Sequence, residues 1–263
     1  MNTSELLEVF TRAHRIELSY PDMTREVEGP VIRLVSHGAE GGFVIYSRLD
    51  DATADAAIAA QIERFERIPQ RSEWKHYDYD SPNDLLERLW RRGFEIGESE
   101  ALVVLDLTAA PEALRLPVPP SVVRVTEPGA VDAIVALENA VWQDDHQVLG
   151  EMLKRDLSEN PDILSVYIAY EDQQPVSAAW TYFAAGGGAA SLYGGATLPQ
   201  FRGQGHYTHL LAARAQEAHA RGVMLLSVDA SPMSRPILEK HGFHYLATTT
   251  PCQWSVTSNG GEV

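Results

Sequence analysis

The chain has 263 residues, one cysteine (Cys252), and 37 acidic against 21 basic side chains, giving a formal net charge of −16. One cysteine excludes an intramolecular disulfide framework or a cysteine-rich zinc site, and suits a cytoplasmic protein. The charge argues against a nucleic-acid partner and leaves room for cationic ones. No apolar stretch approaches the roughly 20 residues of a membrane span. Glu5 and Glu8 stand where a secretory leader would be basic, so no membrane partner is expected.

Taken in chain order, residues 1–10 read as a short amphipathic helix with Leu6, Leu7 and Phe10 on one face. Residues 31–36 and 43–46 are β-rich runs joined through Gly38-Ala-Glu-Gly-Gly, a hairpin signal. Residues 50–68 predict a helix started by Asp or Thr, with Ile58, Ile62 and Phe65 inward. Ser81-Pro82 predicts the start of a second helix, with Leu85, Leu86, Leu89 and Trp90 as its buried stripe and Gly93 as its stop. Residues 100–107 return as a strand.

Residues 109–121, with four prolines, form the best linker, and divide the chain into domains at 1–118 and 122–263. After it come helices at 130–142 and 148–157, then strands at 164–170, 177–183 and 189–198. A helix at 206–221 carries Tyr207, Leu210, Leu211, Ala215 and Ala218 on one face and stops at Gly222. A buried-type strand at 223–229, a last helix at 234–241 and strand signals to Val256 complete the chain. Both halves end alike, in a short helix, Gly-Phe and a return strand (Gly93-Phe94, Gly242-Phe243), a weak internal repeat.

The sharpest chemical signal is Thr197-Leu-Pro-Gln-Phe-Arg-Gly-Gln-Gly-His-Tyr207. A strand feeds a glycine-rich turn that opens a helix. Gly203 and Gly205 let backbone N–H groups line a concave loop, the helix N-terminus adds partial positive charge, and Arg202 can add a charged contact. The lysine of a Walker loop is missing. A dinucleotide fingerprint would need a third glycine where Thr208 stands, and Asp229 lies about 24 residues beyond Gly205 rather than about 20.

Pro199, Arg202-Gly-Gln-Gly-x-Tyr207 and the amphipathic helix, followed about 30 residues later by the Ser231–Phe243 segment, resemble the coenzyme A-binding motifs of the GNAT acyltransferase superfamily. The resemblance spans residues 122–256. It implies an α/β (α+β) fold with a GNAT-type mixed central sheet flanked by helices, in two tandem GNAT-like units. It also implies acetyl-CoA as co-substrate, no metal, and direct N-acetyl transfer to an amine. Carried over by position, backbone atoms of Ala196, Thr197 and Leu198 would pair with the pantetheine arm. Amides of Arg202, Gly203, Gln204, Gly205, His206 and Tyr207 would hold the pyrophosphate. An amide near Leu198 would polarise the thioester carbonyl. Ser231 and Ser234 would face the coenzyme from the last helix.

Three positions depart from the family pattern. Tyr207 replaces a small residue, Ser231 replaces the usual asparagine, and Leu238 replaces the tyrosine that often protonates the departing thiolate. Tyr207, Tyr193 and Ser234 are the remaining hydroxyls for that step. Tyr193, Ser191 and Glu138 are candidates on the acceptor side, where a group must take the amine proton. Strand alternation, or a bulge, decides which of the strand residues faces inward.

Nine acids between Glu138 and Asp172, among them Asp144 and Asp145, are opposed only by Lys154 and Arg155. Such a rim would favour a small cationic amine or a basic peptide end as acceptor, or would simply be a solvated surface. Trp142, Trp180 and Tyr182 could stack on a cation or pack in the core. The spacings His206/His209 and His241/His244 lack the carboxylates of a metal site. In the first half, Asp50 and Asp51 would repel a pyrophosphate, so that half is expected to bind no coenzyme; it would complete the acceptor pocket, pack on the second half, or mediate homodimerisation. A non-catalytic CoA-sensing module, another acyl donor and an oxygen acceptor remain alternatives.

Overall fold

A computed structural model describes residues 1–38, 41–68, 70–185 and 187–255. Ala39 and Glu40 of the expected hairpin turn, and Val256 with the residues after it, lie outside this set. The elements in order are α1 (Thr3–Thr11), a π-helical turn (Arg12–Ile16), β1 (Met23–Glu28), β2 (Val31–Ser36), β3 (Gly42–Ser47), α2 (Ala54–Phe65), β4 (Ser72–Tyr77), α3 (Leu85–Arg91), β5 (Glu95–Ile96) and β6 (Glu100–Asp106). There follow β7 (Val122–Val125), α4 (Val131–Trp142), α5 (Gln147–Glu159), β8 (Leu164–Glu171), β9 (Gln174–Phe183), β10 (Ala190–Thr197), α6 (His206–Ala220), β11 (Leu225–Ala230), α7 (Arg235–Lys240) and β12 (His244–Trp254). The architecture is the expected mixed α/β one, with mixed sheets flanked by helices.

The chain forms two compact units. One holds residues 7–102, 229–235 and the chain from Tyr245 onward; the other holds 1–6, 103–228 and 236–244. In the first, β1, β2 and β3 run antiparallel, β3 pairs parallel to β4, and β12 lies antiparallel to β4 with Cys252 opposite Trp74. Val44, Ile58, Phe65, Trp74, Leu85, Leu89, Phe94 and Cys252 share one core. Burial pushes the free Cys252 thiol up to about 12, so it is a packing residue and no nucleophile.

In the second unit β7, β8, β9 and β10 run antiparallel and β10 pairs parallel to β11. Helix α6 packs on β8, β9 and β10, while α4 packs on α5, β9 and β10. The α4–α5 side buries Ile134, Leu137, Leu153, Val166, Trp180 and Ala196 together. Each unit thus repeats one order: antiparallel strands, a helix, and a strand returning parallel to the one before the helix.

Local chemistry explains most starts and stops. Gly93 and Gly242 take φ of 94° and 89°, and each stops its helix. In both, the following phenylalanine N–H donates to a leucine carbonyl (Phe94 to Leu89, Phe243 to Leu238), and the ring is buried. Three expectations need correction. Ser81 does not cap α3: its hydroxyl donates to the Leu49 carbonyl, the Ser81–Pro82 bond is cis, and the helix begins at Leu85. Trp90 is 64% exposed rather than part of the buried stripe. Strands β1, β4 and β7 are additional to the sequence reading, because Thr-Arg-Glu-Val, Ser-Glu-Trp-Lys-His and Val-Val-Arg-Val interleave charges with their apolar residues.

Candidate active site

Strands β10 and β11 pair only at Ala190↔Leu226 and Ser191↔Ser227. Beyond Ser191 the strands part, leaving the outer edge of β10 free of β11 up to Thr197. On its other edge β10 follows β9 until a bulge: Gly194 opposes Ala179 and Ala196 opposes Ala178, so Gly195 is the extra residue. Its φ is +92°, and that of Gly194 is +67°. Two glycines inside a strand are a sequence signal for such a bulge. A side chain at Gly194 would sit 2.3 Å from the Trp180 ring, and one at Gly195 would sit 2.8 Å from the Tyr207 ring.

The bulge decides facing. Tyr193 is opposite Trp180, and its ring meets Tyr182 edge-on at 5.5 Å, on the α4–α5 side. Past the bulge Ala196 returns to that same side. The Leu198 N–H donates to the Val176 carbonyl at 3.0 Å. That bond holds the Leu198 amide within the β9–β10 pairing. Because backbone groups alternate along a strand, the Thr197 N–H points to the open edge instead. Gly195, the extra residue at the bulge, has no register partner on β9 or β11.

The loop that follows is built as its glycines predict. Gly203 and Gly205 take φ of 76° and 89°, and Gly205 is the N-cap of α6 with no side-chain cap bond. The first N–H groups of α6 therefore keep their hydrogen-bonding capacity, and the helix adds positive potential. Among the described residues no side chain caps this helix start. Arg202 Nε donates to the Thr197 carbonyl at 3.1 Å, and Gln204 Nε2 donates to the Gln200 carbonyl at 3.1 Å, which fold both side chains back onto the turn. His206 offers the loop only its N–H. Its ring is buried beside Phe201, with Nε2 3.8 Å from a Glu171 oxygen. His209 lies over Gly205 instead.

Tyr207 puts its ring under Gly195. Burial raises its pKa and the Arg214 guanidinium opposes that rise. Leu238, at the position of the family tyrosine, is buried in the core. Ser231 and Ser234 belong to the other compact unit, where they bond each other: their hydroxyls are 3.2 Å apart and the Ser234 N–H donates to Ser231 Oγ at 3.3 Å. That is a local turn ahead of α7.

On α4, Glu138 is 3% exposed. Its Oε2 accepts the Trp142 indole N–H at 2.8 Å, and its Oε1 is buried with no partner among the described residues. Desolvation raises its pKa, which makes it a stronger base than an exposed carboxylate. Trp142 is 53% exposed beside it, while Trp180 is core. The Tyr182 hydroxyl donates to Asp156 Oδ2 at 2.6 Å, and Asp156 is also held by Arg155. Ser191 Oγ meets Ser227 Oγ at 3.0 Å, between the two strands where they still pair. Asp144 and Asp145 are exposed and bind the backbone N–H groups of Asp145 and Gln147 ahead of α5. Among the described residues no group of three or more His, Cys, Asp or Glu side chains could hold a metal, and no helix is long and apolar enough to cross a membrane.

A strand splayed at a bulge, leading through a glycine loop into a helix N-terminus, is the geometry that the motifs implied. Residues 130–253 match the family model described as an acetyltransferase (GNAT) domain. This segment is a GNAT acetyltransferase domain. The GNAT family uses acetyl-CoA as acyl donor, and the chain carries that acetyltransferase fold. No curated protein matches the chain. Among solved structures, a GCN5-related N-acetyltransferase from Kribbella flavida is similar at 17% identity, covering 98% of this chain and 95% of that one, with a TM-score of 0.65. An acetyltransferase of the GNAT family from Novosphingobium aromaticivorans is 16% identical over 89% of this chain and 92% of its own, at 0.56. A tandem GNAT protein from the clavulanic acid biosynthesis pathway is 13% identical over 94% and 87%, at 0.57. These likenesses show that the fold extends beyond the GNAT domain over nearly the whole chain.

Proposed function

We propose that this protein transfers the acetyl group of acetyl-CoA directly to a primary amine of a small cationic molecule or basic peptide end. The observation that carries the reading is the parting of β10 from β11 after Ser191, just before a loop of unoccupied amides opens α6. Amides of Gly203, Gln204, Gly205, His206 and Tyr207 hold the pyrophosphate, with Arg202 at its edge. Thr197, between Ala196 and Leu198, pairs with the pantetheine arm. The Gly195 N–H receives the negative charge that develops on the thioester oxygen. Glu138 takes the proton of the amine as its nitrogen attacks; the C–N bond forms, the C–S bond breaks and coenzyme A leaves as thiolate. Tyr193, beside Tyr182, lines the acceptor side. The rate gain comes from orientation and fixed dipoles.

The coenzyme chemistry resides in residues 122–263, and residues 1–118 bind none, as a degenerate GNAT-like repeat. Calorimetry on the whole chain should therefore give one acetyl-CoA per chain, and an acceptor screen that monitors free thiol should find an amine that is turned over. Two coenzymes per chain would overturn the division of labour. A second reading, a CoA-sensing module without turnover, is favoured by the buried Leu238 at the place of the proton donor. Tight coenzyme binding with no thiol release over a broad amine panel would select it.

A further inference from the structure

The sheet-facing side of α6 carries a charged residue that its apolar pattern does not call for. Arg214 stands two turns after Tyr207, on the same face, and is 2% exposed. Its Nε donates to the Leu210 carbonyl at 3.2 Å. One terminal nitrogen donates to two carbonyls at once, that of Trp180 at 3.4 Å and that of Tyr193 at 3.3 Å. No carboxylate forms an ion pair with it among the described residues, and the neutral Tyr207 hydroxyl is its side-chain neighbour. A guanidinium stays protonated even there. A buried cation without a counterion is costly to the fold, so its retention calls for a reason other than stability.

Its place supplies one. Trp180 and Tyr193 are opposite each other on β9 and β10, one pair ahead of Gly194↔Ala179, after which the bulge follows. A bulge disrupts the ladder and leaves backbone groups in need of partners. The N–H of Arg214 meets the carbonyls on both sides of that step. Its neighbour Tyr207 fills the space under Gly195, the extra residue of the bulge.

We propose that Arg214 is the positioning residue of acyl transfer: it fixes the β10 bulge so that the Gly195 N–H faces the acyl carbonyl, and its charge lies beneath the oxygen that becomes negative. This rests on the acetyl-CoA reading above. Fixed donors and charges aimed at developing negative charge are the effective form of electrostatic catalysis, because they need no reorganisation during reaction. The phosphate loop is not involved, so coenzyme affinity should be nearly independent of Arg214.

The test compares the wild type with Arg214→Met and Arg214→Lys, using coenzyme A calorimetry, thermal melting, kinetics, and the infrared carbonyl band of acetyl-CoA labelled with carbon-13 at the thioester carbon. Arg214→Met should bind coenzyme A within about 2-fold of wild type and melt no lower. Its kcat should fall by about 10- to 100-fold at unchanged KM, toward the loss seen when one oxyanion donor is removed. The bound carbonyl band should move back toward its frequency in water, and Arg214→Lys should restore part of both. A bound carbonyl band that is the same in Arg214→Met and wild type overturns the proposal even if no acceptor has been found. So does a loss of kcat that merely tracks a lower melting temperature or weaker coenzyme binding. A wild type that binds no acetyl-CoA would instead remove the acetyl-CoA reading, and this proposal with it.

Discussion

Two parallel strand pairs, β3–β4 in one unit and β10–β11 in the other, are built alike and end differently. Each is joined through a helix, and each pairs at only two positions, Phe43↔Glu73 and Val44↔Trp74 in one, Ala190↔Leu226 and Ser191↔Ser227 in the other. After β10 the chain runs through Gly203 and Gly205, and among the described residues α6 begins without a side-chain cap. After β3 it runs through Asp50, whose Oδ1 accepts the N–H groups of Ala52 and Thr53 at 3.1 and 2.9 Å. Asp51 and Asp55 add negative charge there and engage Arg88. The turn after β10 ends in a bare left-handed glycine cap, while the turn after β3 binds its own carboxylate. The strand, helix, parallel-strand order is shared, and the turn between strand and helix differs.

The comparison can be broken most severely at the cradle. Gly203→Val combined with Gly205→Val forces side chains into left-handed backbone at about 1–2 kcal/mol per residue. Calorimetry should show acetyl-CoA affinity falling by about 100-fold or more, with the first unit providing no residual site. The next largest effect should come from Glu138→Gln. Removing a general base costs about 100-fold or more. The acid limb of the kcat/KM profile should vanish with it, since Glu138 must be ionised to work and burial raises its pKa.

The same substitution tests linkage. The folded-state pKa of Glu138 lies above its unfolded value, so its contribution is present while it is protonated and is lost as pH rises through the raised value. Glu138→Gln should therefore melt higher than wild type at neutral pH and show no such gain at acid pH.

Gly195→Ala would place a methyl group 2.8 Å from the Tyr207 ring. It should lower kcat by about 10-fold, a loss on the scale of part of an oxyanion donor, and a second change, Tyr207→Gly, should return part of it. Asp144→Asn with Asp145→Asn should raise KM for a cationic acceptor by about 2- to 5-fold at low salt and by less at high salt, as for any exposed steering charge. An unchanged KM would reduce the acidic rim to solvation. The smallest effect belongs to the other half of the comparison. Asp50→Ala should lower the melting temperature by a few degrees through loss of its turn, and leave one coenzyme per chain. Appearance of a second binding site would show that Asp50 alone closes it.

Much of the site was legible before folding. The loop from Arg202 to Tyr207 is read from consecutive residues, because positive φ at Gly203 and Gly205 and a helix start at His206 are local requirements. The helices followed from periodicity and glycine stops for the same reason. The sequence left open which amide near Leu198 faces the open edge, because one extra residue at Gly195 reverses the alternation of everything before it. The pair Gly194-Gly195 carried that signal. Arg214 was passed over because a charge on an apolar helix face is ordinarily a solvated flank; only its burial beneath β10 gives it a task.

By itself, then, the amino-acid sequence determined the glycine loop ahead of α6, the helix boundaries set by glycine, and the carboxylate-bearing turn at Asp50. Tertiary structure decided which strands share a core, placing Cys252 and β12 with residues 7–102. It also decided where β10 leaves β11, and which buried groups meet at the bulge. Turns and caps are settled within a few residues by φ and hydrogen-bond geometry. Strand partnership depends on pairing between distant residues that local pattern leaves open.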